Sequence, residues 1–122
     1  MHALVIDDSR ALRRILGEML RQVGFQVTEA GNGREGLAAV RSSTPLDVVL
    51  VDWNMPEMNG LEFVRAVRAD DQYARLPLMM VTTETETEQM VTALAAGANE
   101  YVMKPFSREC IVDKLTIMGV LC

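Results

Sequence analysis

The chain has 122 residues, of which 49% are apolar and 24% are charged. Because this composition supplies enough apolar side chains for one well-packed core, a single domain over 1–122 is expected and intrinsic disorder is excluded. Seventeen acidic residues against twelve lysines and arginines give a formal net charge of −5. This acidic excess argues against a nucleic-acid partner and against binding to an anionic membrane surface.

The sequence has no segment typical of membrane insertion or export. No apolar stretch approaches the roughly 18 residues that span a bilayer, and the first residues lack the pattern of a secretory signal. Cys110 and Cys122 have neither the spacing of metal ligands nor the density of a disulfide scaffold. We therefore expect a cytoplasmic protein with free thiols.

Short apolar runs alternate along the chain with segments of helical periodicity. In the first half, the runs 3–6, 25–30 and 46–51 predict strands, the second of them more exposed, while 12–23 and 34–41 predict helices. In the second half the predicted elements are, in order, a loop over 53–60, a helix over 61–69, a strand over 78–81, a helix through Met90 and Leu94 that ends at Gly97, a strand over 101–103, and a last helix N-capped by Ser107. Five strands alternating with five amphipathic helices predict an α/β fold, a doubly wound parallel sheet covered on both faces.

Polar residues end four of the five predicted strands. Asp7 and Asp8 follow the first strand, Asp52 the third, Thr82 the fourth and Lys104 the fifth. In open parallel sheets, ligands bind beyond the carboxyl ends of the strands. We therefore expect these side chains to converge at one edge of the sheet.

This set of side chains suits phosphoryl transfer. Clustered carboxylates repel one another unless a cation lies between them, and Mg²⁺ prefers such oxygen ligands. Lys104 would add a charge for the same phosphate, and Asp52 is the candidate nucleophile. Each residue alone also has an ordinary structural explanation: Asp8 or Ser9 as a helix N-cap, Asp52 as a turn cap, Thr82 as a β-branched strand residue and Lys104 as a surface lysine. Their convergence from four segments favours the functional interpretation.

The strand-end residues and their neighbours resemble a known family. Asp7-Asp8, the segment Asp52-Trp-Asn-Met-Pro56, Thr82 and the segment Tyr101-Val-Met-Lys104-Pro105-Phe106 have the order and spacing of receiver domains of two-component response regulators. The similarity covers essentially the whole chain and is greatest to the stand-alone receivers of chemotaxis. It implies a flavodoxin-like strand order 2-1-3-4-5.

The resemblance implies a role for each residue of the site. Asp52 would accept a phosphoryl group from the phosphohistidine of a histidine kinase. Asp8, Asp52 and the backbone carbonyl of Asn54 would bind Mg²⁺, with Asp7 acting through water. Lys104 would contact the phosphoryl oxygens.

The resemblance also implies a switch. The Thr82 hydroxyl would move toward the phosphoryl group while Tyr101 swings inward, which would reshape the surface of the fourth helix, the fifth strand and the fifth helix. An output protein would bind at that surface. The Lys104–Pro105 peptide bond resembles a cis bond of the family.

Three residues are expected to tune the lifetime of the phosphoryl group. Asn54 stands where aspartyl-phosphate phosphatases have an acid–base aspartate, and it cannot transfer protons at neutral pH, so a phosphate on Asp52 should persist. Thr83 is larger than the residue usual in the family after the switch threonine, and we expect it to narrow access to the phosphoryl group. Glu84 matches the family position, two after the threonine, that influences this lifetime.

A basic stripe on the first helix is the expected docking region for a kinase or phosphotransfer domain. Arg10, Arg14 and Arg21 lie near one face of this helix, with Arg13 adjacent. Such a stripe is usually only solvated, but by resemblance this region binds the phosphoryl donor, and its charge would steer an acidic partner. The protein is expected to be a monomer.

The sequence leaves several functions to compare. The first is a switch that controls chemotaxis or motility and catalyses only its own phosphorylation and slow dephosphorylation. Alternatives are a phosphorelay intermediate or phosphate sink, a small aspartyl-phosphate phosphatase, and a degenerate receiver that only binds proteins. A flavin carrier is disfavoured, because Asp7 and Asp8 would repel the FMN phosphate.

Overall fold

The computed structural model describes residues 1–42, 44–83 and 87–121. Five strands and five α-helices alternate along this part of the chain: β1 His2–Ile6, α1 Arg10–Gln22, β2 Gln26–Ala30, α2 Gly33–Val40, β3 Val48–Val51, α3 Gly60–Arg68, β4 Leu78–Thr82, α4 Thr87–Ala96, β5 Glu100–Met103 and α5 Arg108–Ile117. A short 3₁₀ helix, Asp71–Tyr73, precedes β4. Among the described helices, none has the length and apolar character that a bilayer crossing requires.

The strands form one parallel sheet in the order β2-β1-β3-β4-β5. The predicted doubly wound α/β fold and its strand order are therefore confirmed. Strands β1, β3 and β4 are flanked on both sides, which explains their nearly continuous apolar sequences. The predicted greater exposure of the second strand also agrees with its position at an edge.

The core lies on both faces of the sheet, because successive strand residues point to opposite sides. On one face, Leu4, Val49 and Met80 belong to a buried cluster that includes side chains of α2, α3 and α4. On the other, Val5 and Leu50 belong to a second cluster with α1 and α5. The sheet is thereby held between two helical layers.

Side-chain caps fix where several helices begin. Ser9 Oγ accepts a hydrogen bond from the backbone N–H of Leu12 at 3.3 Å, and Ser107 Oγ accepts one from Cys110 at 3.1 Å. The predicted cap at Ser107 is confirmed. At the start of α1 the cap is Ser9, which leaves the carboxylate of Asp8 exposed at the edge of the sheet.

Some element boundaries differ from those predicted. Strand β2 begins at Gln26, because Phe25 is buried against the end of α1 and its N–H donates to Leu20. Strand β3 begins at Val48 rather than at residue 46. Just before it, the Asp47 N–H donates to the His2 carbonyl at 2.8 Å, and the Asp47 carboxylate accepts from the His2 N–H at 2.7 Å. The apolar pattern of the sequence indicates which residues are buried, whereas the backbone hydrogen bonds between neighbouring strands determine where each strand begins and ends. The 3₁₀ helix was not predicted, since its polar sequence has no apolar period.

Strand register brings the predicted site residues to the same level. Ile6 pairs with Val51, so Asp7 and Asp52 follow paired positions on adjacent strands. The Asp52 N–H donates to the Ile6 carbonyl at 2.9 Å. On the other side, Lys104 follows β5 and its N–H donates to the Thr82 carbonyl at 2.8 Å. The fold therefore places all four residues at one edge.

Candidate functional site

Three carboxylates lie together at the carboxyl edge of the sheet. One carboxylate oxygen from each of Asp7, Asp8 and Asp52 lies within 4.8 Å of the others. Asp7 is 1% exposed and Asp52 6%, whereas Asp8 is exposed. The convergence expected from the strand ends is thus present in the structure.

Lys104 faces this cluster with its ammonium group. Its Nζ lies 2.9 Å from Oδ2 of Asp7 and 3.5 Å from Oδ1 of Asp52, and its side chain is 10% exposed. Charge-assisted hydrogen bonds of this kind are stronger than neutral ones. One ammonium therefore compensates two buried carboxylates only in part.

The surroundings of Asp52 disfavour the ionised form of its carboxyl. Burial raises the pKa of its carboxyl above the ordinary value, and the neighbouring charge of Asp7 raises it further. Lys104 and the backbone N–H of Trp53 lower the same pKa, but their effect is smaller. An additional cation at this position would stabilise the ionised form of Asp52.

The two expected switch residues occupy neighbouring strands. Thr82 is the last residue of β4 and is fully buried. Tyr101 lies on β5 opposite Met80 and is buried in the cluster on the α3 face, so its ring is already inward in this structure. The Lys104–Pro105 bond is cis.

The expected lifetime-tuning residues are described only in part. Asn54 lies exposed in the loop after β3, and Thr83 lies exposed directly after β4. Glu84 falls outside the described residues. Of the two cysteines, Cys110 is a free thiol, and Cys122 also lies outside the described part of the chain.

The loop that follows Asp52 closes against the backbone of Asp52 itself. The N–H of Gly60 donates to the Trp53 carbonyl at 2.9 Å, and a side chain at Gly60 would collide with the carbonyl oxygen of Asp52. Glycine is therefore required for this close approach. The sequence predicts Gly60 only as part of a loop, because no pattern along the chain reveals which backbone atoms it will meet.

The basic residues of α1 divide into two groups. Arg10, Arg14 and Arg21 are exposed, as the predicted stripe requires. Arg13 instead turns toward the sheet, where its guanidinium donates to the Asp7 carbonyl at 2.6 Å and to Glu29 at 3.3 Å. This contact with the site was not predicted. The buried residues Leu16 and Leu20 of α1 do indicate which face of the helix meets the sheet, and Arg13 lies beside that face.

An apolar cavity of about 410 Å³ adjoins Lys104. It is lined by Leu12 and Ile15 of α1 and by Thr83, Lys104, Pro105 and Phe106. Ile15 is a large exposed apolar side chain and also borders the surface formed by Arg10 and Arg14. The basic face of α1 is therefore continuous with an apolar depression beside the site.

The family model of the response regulator receiver domain matches residues 3–116 of this chain. The chain belongs to that family. The predicted identity as a receiver domain of a two-component system is thus confirmed, and the acidic cluster and Lys104 lie within the matched region of the receiver.

The receiver is similar over nearly its whole length to chemotaxis proteins. It is 41% identical over 119 residues to chemotaxis protein CheY1 of Helicobacter pylori strain J99, covering 97% of this chain and 96% of that protein. It is 44% identical over 116 residues to a CheY homolog of Campylobacter jejuni, covering 94% and 89%. The solved structure of the response regulator CheY4 of Vibrio cholerae superimposes with a TM-score of 0.89 at 38% identity, covering 96% and 97%. The resemblance to chemotaxis receivers is therefore confirmed, and these relatives are signalling proteins.

Proposed function

We propose that this receiver, acting as one domain over 1–122, is a phosphorylation-controlled switch that accepts a phosphoryl group on Asp52. The observation that carries the proposal is the setting of the Asp52 carboxylate. It is largely buried, lies 3.5 Å from the Lys104 ammonium, and shares its site with the carboxylates of Asp7 and Asp8. Carboxylates in such settings serve as phosphoryl acceptors.

The donor set fits Mg²⁺. Asp8, Asp52 and the backbone carbonyl of Asn54 would hold the ion, and Asp7 would act through water. This division is supported by the hydrogen bonds of Asp7, whose Oδ1 already accepts from the Ser9 N–H at 2.8 Å and whose Oδ2 accepts from Lys104. When bound, Mg²⁺ supplies positive charge that offsets the carboxylates and the incoming phosphoryl oxygens.

Phosphoryl transfer would proceed by attack of an Asp52 carboxylate oxygen on the phosphorus of a phosphohistidine. As the O–P bond forms, the P–N bond breaks and its electron pair returns to the imidazole, which leaves neutral if its other nitrogen carries the proton. Lys104 would contact the phosphoryl oxygens, and so would the Thr82 hydroxyl. Catalysis of this kind consists largely of positioning and charge neutralisation.

The signal would pass to an output protein at the surface of α4, β5 and α5. Thr82 and Tyr101 are the proposed switch residues, and both lie in strands that border this surface. Val91 and Leu94 of α4 and Met103 of β5 are large exposed apolar side chains in the same region. Because the similar proteins described above are chemotaxis proteins, we place this switch in the control of chemotaxis.

The phosphoryl donor would be a histidine kinase or phosphotransfer domain that docks beside α1. Arg10, Arg14 and Arg21 would steer an acidic surface toward the receiver, and Ile15 would lie at the centre of the contact beside the cavity that reaches Lys104. We further propose that the receiver is a cytoplasmic monomer that catalyses only its own phosphorylation and slow dephosphorylation.

The fluorescence of Trp53 offers a direct test of this function. Trp53 follows Asp52 and is half-buried, so Mg²⁺ binding should change its emission, and acetyl phosphate should then produce a further change. Mass spectrometry should find one added phosphoryl group per chain. No response to either reagent would instead support a degenerate receiver, and multiple turnovers of acetyl phosphate with rapid release of phosphate would support a phosphatase.

Replacing Thr83 with alanine should shorten the lifetime of the phosphorylated state several-fold. Thr83 is exposed after β4 and lines the cavity beside Lys104, so its side chain would restrict the approach of water to the phosphoryl group. The measurement is the decay of phosphorylated protein after removal of acetyl phosphate. Thr92→Ala on α4, which removes a hydroxyl bonded to the Glu88 carbonyl, is the control. An unchanged lifetime in Thr83→Ala contradicts the role assigned to Thr83.

A further inference from the structure

We propose that Arg13 is a positioning residue that fixes the peptide between Asp7 and Asp8 and thereby sets the affinity of the site for Mg²⁺. This inference rests on the proposed function, which places Mg²⁺ at these acids. Its basis is the bridge that the Arg13 guanidinium makes from α1 to the ends of two strands. The guanidinium donates to the Asp7 carbonyl at 2.6 Å and to Oε1 of Glu29 on β2 at 3.3 Å.

Each of the four polar atoms of Asp7 has a partner in the structure. Its N–H donates to the Ala30 carbonyl at 3.1 Å, and its carbonyl accepts from Arg13. Oδ1 accepts from the Ser9 N–H at 2.8 Å, and Oδ2 accepts from Lys104 at 2.9 Å. Asp7 is therefore fixed in both backbone and side chain, and the Arg13 bond is the one that holds the carbonyl side of its peptide.

The next residue along the chain depends on that peptide. The carbonyl of Asp7 and the N–H of Asp8 belong to one planar unit, so fixing the carbonyl fixes the backbone from which the Asp8 side chain extends. Asp8 is exposed, and its carboxylate is a proposed ligand of Mg²⁺. Arg13 thus constrains the proposed metal ligand Asp8 through the backbone and not through the Asp8 side chain.

Arginine is suited to this bridge because its planar guanidinium presents several donors in a fixed arrangement. The Arg13 side chain is 18% exposed, and its ion pair with Glu29 restrains the guanidinium from the β2 side. Lysine keeps the charge but offers one compact ammonium in place of the fork. It should therefore preserve only part of the bridge.

Positioning and charge predict opposite effects on Mg²⁺ binding. Residues that orient metal ligands from outside the coordination shell typically contribute about 10- to 100-fold in metal affinity, so loss of the bridge should weaken binding. If Arg13 acted only as a nearby positive charge, its removal would reduce repulsion of the cation and strengthen binding. The direction of the change therefore separates the two roles.

The test measures Mg²⁺ dissociation constants of the full chain by Trp53 fluorescence. Arg13→Met should weaken Mg²⁺ binding about tenfold, and Arg13→Lys should lie between that variant and the wild type. Arg34→Met is the matched control, because Arg34 is exposed in the first turn of α2 at the same edge of the sheet and its loss removes the same charge. Its affinity should equal that of the wild type or be slightly tighter.

A second variant weakens the same bridge from the β2 side, so that the conclusion does not depend on the folding of Arg13→Met alone. Glu29→Gln removes only the ion pair that restrains Arg13, and it should weaken Mg²⁺ binding by a smaller factor. This loss should not add to that of Arg13→Met.

Thermal unfolding in EDTA reports separately on stability. Lower stability with wild-type Mg²⁺ affinity in both variants, or tighter binding by Arg13→Met, overturns the positioning role. Failure of the wild type itself to bind Mg²⁺ overturns the proposed function and this inference with it.

Discussion

Replacement of Asp52 with asparagine is expected to abolish phosphoryl acceptance and, without Mg²⁺, to stabilise the fold. The buried carboxylate of Asp52 is compensated only in part by Lys104, and replacing this carboxylate with an amide relieves its repulsion from Asp7. We expect the free energy of unfolding at neutral pH to rise by on the order of 1–3 kcal/mol, the cost of burying an incompletely paired polar group. Urea unfolding in EDTA measures this change, and acetyl phosphate with mass spectrometry measures the loss of phosphorylation.

The stabilisation should depend on pH. Because the pKa of Asp52 is raised in the folded state, the folded protein holds this proton more tightly than the unfolded chain does. The wild type should therefore lose stability as the pH rises from the ordinary pKa of an aspartate through the raised value. The side-chain amide of the Asp52→Asn variant does not titrate, so the advantage of this variant should be absent in acid and reach its maximum above the raised pKa.

A charge-matched variant separates this local effect from the change in net charge. Asp113 is exposed on α5, and Asp113→Asn removes the same charge away from the cluster. Its stability should stay close to that of the wild type. Added Mg²⁺ should stabilise the wild type by mass action and narrow the gap to Asp52→Asn. Equal stabilisation by both variants would falsify the assignment of the effect to the acidic cluster.

Replacement of Lys104 with methionine is expected to destabilise the fold by about 3 kcal/mol in EDTA. Removing one member of a buried ion pair leaves its partner uncompensated, and Lys104 faces both Asp7 and Asp52. Mg²⁺ should restore part of the stability, because it supplies positive charge to the same carboxylates. Phosphorylation by acetyl phosphate should still be slow in the presence of Mg²⁺, since the proposed contact with the phosphoryl oxygens is lost.

The second lysine of the chain provides the control. Lys114 pairs with Glu100 at 3.1 Å, but their side chains are 32% and 20% exposed. Partly solvated pairs contribute about 1 kcal/mol or less, so Lys114→Met should have a small effect that Mg²⁺ does not reverse. Similar losses in both lysine variants would show that Lys104 is not the counter-ion of the cluster.

Much of the fold follows from local sequence features. Continuous apolar strands alternating with amphipathic helices predict a parallel sheet, and this pairing direction alone brings Asp7, Asp52 and Lys104 to one edge. The strand order came from the resemblance to receivers, since alternation does not distinguish one order of parallel strands from another. The site was therefore predictable as a set of converging residues.

The contacts within the site were less predictable, because they depend on which backbone atoms meet. Nothing in the pair Asp7-Asp8 indicates which carboxylate is buried, whereas the structure buries Asp7 and caps α1 with Ser9. Arg13 differs from its exposed neighbour Arg14 only by its position around the helix. Gly60 is required by the carbonyl of Asp52, eight residues away. Each case needs the tertiary arrangement before the local residue type can be interpreted.

The backbone N–H of Lys104 donates a hydrogen bond to the Thr82 carbonyl, and this bond shortens the distance that a signal would have to travel. It joins the proposed phosphoryl-binding lysine directly to the proposed switch threonine, at the carboxyl edge of the sheet. Met103, the residue before Lys104, is 44% exposed. The surface proposed for an output protein thus begins one peptide unit from Lys104, and a displacement at that hydrogen bond would reach this surface without crossing the core.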